Sequence, residues 1–135
     1  MADDPGGHVM SGKSGQLGAL ARLARIKADA DLRRYAAYRA HSEAMQRQVD
    51  ALRTDLAEAI AAPGADRPDQ WRLTTAMVAY RTGQAQRAEV ALARMKPGLE
   101  VARRVATLAF GRAEALSSLQ QLREDQERRK AERRG

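Results

Sequence analysis

The chain of 135 residues has room for one domain or for one long helical hairpin. Hydrophobic residues make up 44% of it but aromatic residues only 4%, with one Phe and one Trp, so a large spherical core is not expected. The net charge of +7, from 24 basic and 17 acidic side chains, points to nucleic acid, lipid or an acidic protein surface without choosing among them.

Ala, Leu, Arg and Glu dominate, and 30% of residues are charged, which is the profile of long helices and coiled coils. The absence of cysteine excludes disulfides and thiolate metal sites and suits a reducing cytoplasm. No apolar run approaches the roughly 20 residues that span a bilayer. The start, Met1 to Gly7, lacks the basic residues and apolar core of a signal peptide. A cytoplasmic location without membrane insertion is therefore expected.

Residues 1–15 read as a disordered, Gly-rich tail, because Pro5, Gly6, Gly7, Gly12 and Gly15 leave little apolar surface to offset the ordering entropy. Met10 is an alternative start. From Gln16 to Ala62 only Gly18 interrupts the helix formers. Tyr35, Tyr38, Ser42, Met45, Val49, Leu52, Leu56 and Ala59 follow one another at alternating spacings of three and four, the repeat of a coiled-coil seam. The same stripe extends back less strictly through Leu20, Leu23 and Ala24. Asp29 with Arg33 and Glu43 with Arg47 are expected to pair one turn apart on the outer face.

Residues 63–69 hold two prolines and a glycine, which predicts the turn. Pro63 stops the first helix, Gly64 is suited to reversing the chain, and Asp66 and Asp69 are candidate N-caps for the second. A short connection makes the two helices antiparallel neighbours. In the second helix Val78, Ala85, Leu92, Leu99, Ala106 and Ala113 form one seven-residue column. Ala88, Met95, Ala102, Ala109 and Leu116 form the other. Pro97-Gly98 interrupts this pattern and predicts a kink near Pro97, with a split into two helices as the alternative. The expected architecture is all-α: an antiparallel two-helix coiled-coil hairpin over 16–130, with a frayed basic C-terminus at 131–135.

Gly7-His8-Val9-Met10-Ser11-Gly12-Lys13-Ser14 matches the phosphate-binding loop G-x-x-x-x-G-K-[ST] at every fixed position. That loop works when a buried strand delivers it to a helix N-terminus. Six residues containing Pro5 and Gly6 cannot supply such a strand, so nucleotide binding is not expected. His8 and His41 have no acidic or thiol residue at convincing ligand spacing, and Ser117 and Ser118 have no candidate base. The expectation is a chain with no catalytic residues, no metal ligands and no cofactor, hence not an enzyme. Tyr35 and Tyr38 are expected in wide seam layers opposite small residues such as Ala102 or Ala106. Trp71 is expected to pack on Ile60 at the hairpin tip.

Closing the hairpin near residue 66 brings Arg22, Arg25 and Lys27 toward Arg103, Arg104, Arg112 and Arg123. Like charges gathered without internal acid partners oppose folding, and an acidic partner relieves them. Arg22, Arg25, Lys27 and Arg112 are the candidate contact residues, with Phe110 as an apolar anchor. A nucleic-acid partner is the alternative. It is disfavoured because acidic residues alternate with basic ones along both helices. A structural homo-oligomeric coiled coil with no specialised ligand, such as a homodimer, is the third reading.

Leu20-Ala21-Arg22-Leu23-Ala24-Arg25-Ile26-Lys27 resembles the basic, Leu-spaced opening of the FliJ-type flagellar export proteins and their type III secretion relatives. Ala109-Phe110-Gly111-Arg112-Ala113-Glu114-Ala115-Leu116 is similar to a stretch of that family's second helix. The resemblance covers roughly residues 16–130 in layout. It implies an antiparallel hairpin that inserts into a hexameric export ATPase ring, helps couple the ring to the membrane export gate, and handles export chaperones. Pro97-Gly98, the weakly apolar Thr82-Gly83-Gln84 and the Gly-rich tail depart from the family pattern.

Overall fold

The structure, a computed structural model, describes the backbone of residues 5–62 and 67–135 and, within these, side chains from residue 15 onward. Two helices, α1 (Pro5–Ala61) and α2 (Pro68–Arg134), pack against each other as a hairpin, and the described residues contain no strand. No described helix is long and apolar enough to cross a membrane. The helical backbone of α1 runs ahead of Gln16 to Pro5, through the stretch expected to be a disordered tail. Within the predicted turn, residues 63–66 lie outside the described residues, and with them the roles given to Pro63, Gly64 and Asp66.

The start of α2 differs from expectation in a way that local chemistry explains. Trp71 N–H donates to the carbonyl of Arg67 at 3.0 Å, so Arg67 occupies the cap position and Pro68 the first helical position. Proline is favoured there because its missing N–H would be unsatisfied anyway. Asp69 is not a cap. It lies inside the first turn, where its charge favours the positive end of the helix dipole. The predicted staple at the tip does not form either: Trp71 is 64% exposed and Ile60 66%.

α2 continues without interruption through Pro97, which sets aside the split into two helices. Pro97 and Ala93 both face solvent. The carbonyl that the proline ring leaves without its N–H partner is therefore open to hydration, and the cost of the missing bond falls.

The chain divides into two compact units, one of residues 1–35 and 102–135 and the other of residues 36–101. In the unit of residues 36–101 every predicted seam position on α1, from Tyr38 to Ala59, is buried or half-buried. Val49 is the largest fully buried side chain, and Ala85 and Leu92 are buried on α2. Arg53 donates to Glu89 at 2.7 Å, and Arg81 donates to the carbonyl of Asp55 at 3.0 Å. Both ties join α1 to α2 and both are solvent-exposed, so each contributes at most about 1 kcal/mol. On the outer surface Glu43 accepts from Arg39 at 3.1 Å rather than from Arg47. Helical side chains lean toward the N-terminus, which carries the Glu43 carboxylate over the preceding turn.

Tyr38 faces Gly98, a small residue as expected, though not the Ala102 or Ala106 named for that layer. A Cβ at Gly98 would overlap the Tyr38 hydroxyl and lie 3.0 Å from its ring carbon Cζ. No described glycine has a positive φ, so Gly98 is required for space and not for backbone conformation. Gly98→Ala is therefore expected to destabilise this unit, although Ala in place of Gly ordinarily favours a helix by about 1 kcal/mol. Tyr38→Ala should reverse the sign. A double-mutant cycle read by urea unfolding should return a coupling of about 1 kcal/mol or more. Additive effects would show that the tyrosine swings away freely.

In the unit of residues 1–35 and 102–135 the seam is made almost wholly of alanine. Ala21, Ala28, Ala106, Ala109 and Ala113 are buried, and Ala24 packs on the cluster of Ala28, Ala109 and Ala113. Gly18 lies against Gln120, whose Nε2 is 3.2 Å from where a Cβ would stand. The strict three-and-four spacing runs back from Tyr35 through Asp31, Ala28, Ala24 and Ala21, and not through Leu20 and Leu23, which are exposed. Small residues let the two backbones approach closely, and leucine at those layers would hold them apart. Leu20, Leu23, Ile26, Leu108, Leu119 and Leu122 consequently remain more than half exposed. This inverts the usual arrangement, in which the largest apolar side chains are the most buried.

Candidate protein-binding surface

All five residues singled out in the sequence, Arg22, Arg25, Lys27, Phe110 and Arg112, lie in the unit of residues 1–35 and 102–135. Neighbours two apart on a helix point about 200° away from each other. Arg25 and Lys27 therefore project from opposite flanks, as do Phe110 and Arg112. The structure brings Arg25 together with Phe110, and Lys27 with Arg112, and does not gather the five into one patch.

On the first flank Arg25 ties the two helices together. Its Nη2 donates to Glu114 Oε1 at 2.6 Å, and its guanidinium lies 5.6 Å from the centre of the Phe110 ring. Phe110 and Glu114 are one turn apart on α2, so a single guanidinium reaches both. This corrects the expectation of a basic cluster without internal acid partners. The pair is half-exposed, and solvent screening limits the ion pair to about 1 kcal/mol or less, with a similar amount from the ring contact. Phe110 keeps 44% of its surface exposed, and Arg22 is exposed on the same side of α1.

The second flank holds a cavity of about 230 Å³ lined by Ala24, Lys27 and Asp31 from α1 and by Val105, Leu108, Ala109 and Arg112 from α2. Asp31 is only 7% exposed, and its Oδ2 has no hydrogen-bond partner. No ion pair joins Lys27 or Arg112 to an acid among the described residues. A buried carboxylate oxygen without a donor is costly. Asp31 was missed in the sequence because the seam was continued back through the leucines; continuing the unbroken three-and-four spacing would have reached it.

Among the described residues no cluster of three or more His, Asp or Glu side chains is placed to hold a metal ion. The segment matching the phosphate-binding loop, residues 7–14, has helical backbone, and the Lys13 side chain lies outside the described residues. His41 is exposed on α1. Comparison with protein-family models, with curated proteins and with solved structures gives no match.

Proposed function

We propose that this chain is a non-enzymatic coiled-coil adaptor that binds other proteins through the unit containing both chain termini. One observation carries the reading. The seam there is alanine, and on the flank of Arg22 and Arg25 the Phe110 ring stands outside it, 44% exposed and beside the Arg25 guanidinium, uncovered by the hairpin itself. The flank of Arg22, Arg25 and Phe110 is the docking surface for an acidic protein. Phe110 supplies an apolar anchor, and Arg25, already oriented by Glu114, offers its remaining donors without further loss of rotamer freedom. The resemblance of residues 20–27 and 109–116 to the FliJ-type family supports a specific partner: the export ATPase ring of a flagellar or type III secretion apparatus, with the export gate beyond it. In that setting the protein works in the cytoplasm, at the periphery of the membrane-bound apparatus.

The test is association with, and stimulation of, the export ATPase of the same cell. Arg22→Glu combined with Phe110→Ser should weaken association by about tenfold or more. Helicity should hold, because the exposed Arg22 substitution shifts stability by only about 0.5 kcal/mol and loss of the Phe110 ring contact by about 1 kcal/mol at most. Arg25→Glu is the wrong variant, since it also sets two acids against each other at Glu114. A wild-type hairpin that neither associates nor stimulates would overturn the export reading.

A further inference from the structure

We infer that the opposite flank, the groove centred on Asp31, is a self-complementary interface that receives a second copy of this chain. The argument starts from what the groove lacks. Asp31 sits at a seam position between Ala28 and Tyr35, nine-tenths buried, with Oδ2 unsatisfied. Its own helix carries Lys27 one turn earlier and α2 carries Arg112, both lining the same cavity, yet neither is paired with it. One groove thus holds a carboxylate oxygen without a donor and two cations without an acid among the described residues.

A two-fold axis through such a groove makes each deficiency answer the other. Arg112 of one copy enters the cavity of its partner, where the Asp31 carboxylate must turn from its covered position to meet it, and the reverse contact follows by symmetry. A guanidinium suits the site better than an ammonium. Its planar fork can satisfy a carboxylate through parallel N–H donors while its stem packs on the apolar walls.

The surroundings favour the same occupant. Leu20 and Leu23 on α1 and Val105, Leu108 and Leu119 on α2 stand exposed along this flank. Their helical positions share the side occupied by Lys27 and Arg112. Two hairpins joined by these faces form a four-helix layer, with leucine and valine between the hairpins and alanine within each. Large side chains then fill the wide inter-hairpin seam, and small ones keep the narrow intra-hairpin seam closed. An unrelated acidic partner would leave Asp31 facing like charge. A purely basic partner would leave Lys27 and Arg112 facing like charge. A second copy supplies a donor to Asp31 and an acid to Arg112, and leaves only the solvent-exposed Lys27 at the rim without an acid.

The test uses sedimentation equilibrium or light scattering on the full chain, with circular dichroism to confirm folding. Wild type should be dimeric at micromolar concentrations. Asp31→Arg sets cations against Arg112 and Lys27 of the other copy and should weaken dimerisation by about 30-fold or more. Lys27→Glu with Arg112→Glu should do the same by facing Asp31 with acids. Mixed one to one, these two proteins should pair with each other, because every opposed charge is then matched again. Leu108→Glu, at an exposed position of the monomer, should abolish dimerisation while leaving helicity unchanged. A monomeric wild type, variants that dimerise like wild type, or a mixture that stays monomeric would each overturn the interface. The ATPase assay above probes the other flank, so either proposal can fail without the other.

Discussion

Val49→Asp is expected to unfold the unit of residues 36–101. Val49 is the largest fully buried side chain, 1% exposed, and the described residues near it on the seam offer mainly apolar surface. Removing the valine forfeits about 2 kcal/mol of burial, and an unpaired carboxylate in its place adds several kcal/mol. Leu92→Asp, on α2, should behave in the same way, and Leu52→Asp less severely because Leu52 is only half-buried. The total approaches the about 5–15 kcal/mol by which whole domains are stable. Thermal melting followed by circular dichroism should show loss of most of the helical signal. Ile60→Asp serves as the control. At an exposed position near the end of α1 it should shift stability by no more than about 0.5 kcal/mol. Equal effects at Val49 and Ile60 would mean that the seam does not hold the helices together.

The second large effect is expected from adding bulk rather than removing it. Ala28 and Ala113 are fully buried, and with Ala109 they form a buried cluster in the unit of residues 1–35 and 102–135. Ala113→Leu inserts three carbon atoms where the helices approach on alanine. Overpacking of this kind costs about 1–3 kcal/mol, and more where no neighbour can move. Here the neighbours are alanines, which have no rotamer to change, so relief must come from backbone separation. That separation would also lengthen the Arg25–Glu114 contact. Ala28→Leu should repeat the effect from α1. By contrast Ile26→Ala, which removes a larger side chain from an exposed position, should cost little. The expected order, with small-to-large inside more harmful than large-to-small outside, is measurable by urea unfolding. An Ala113→Leu protein as stable as wild type would show that the close approach is not a requirement of this fold.

Much of this architecture was legible in the residues, since coiled-coil spacing states which face of a helix is buried before any partner is known. The run from Tyr35 to Ala59 and both columns of α2 are buried or half-buried without exception. Those positions depend only on the angle between residues around one helix, a property of the chain alone. The hairpin follows from the same source, because two long apolar stripes separated by Pro63, Gly64 and Pro68 have each other as nearest partners.

What only the tertiary structure decided concerns distances across the seam. At Leu20 and Leu23 the expectation favoured the most hydrophobic residues. Packing kept Ala24 but put Ala21 and Ala28 in place of the leucines, because their small size permits closer backbones, and Asp31 was drawn into the seam by its position. The same inter-helix register gave Arg25 an acid, Glu114, that lies 89 residues away in sequence, and so removed the premise of an unpaired basic cluster. It also set Tyr38 against Gly98, turning an apparent flaw after Pro97 into the space that a tyrosine needs. Periodicity within one helix specifies direction around its axis. It does not specify which residue of the other helix stands opposite or how close the backbones come, and those two quantities settled the ion pairs between the helices, the cavity and the orphaned carboxylate of Asp31.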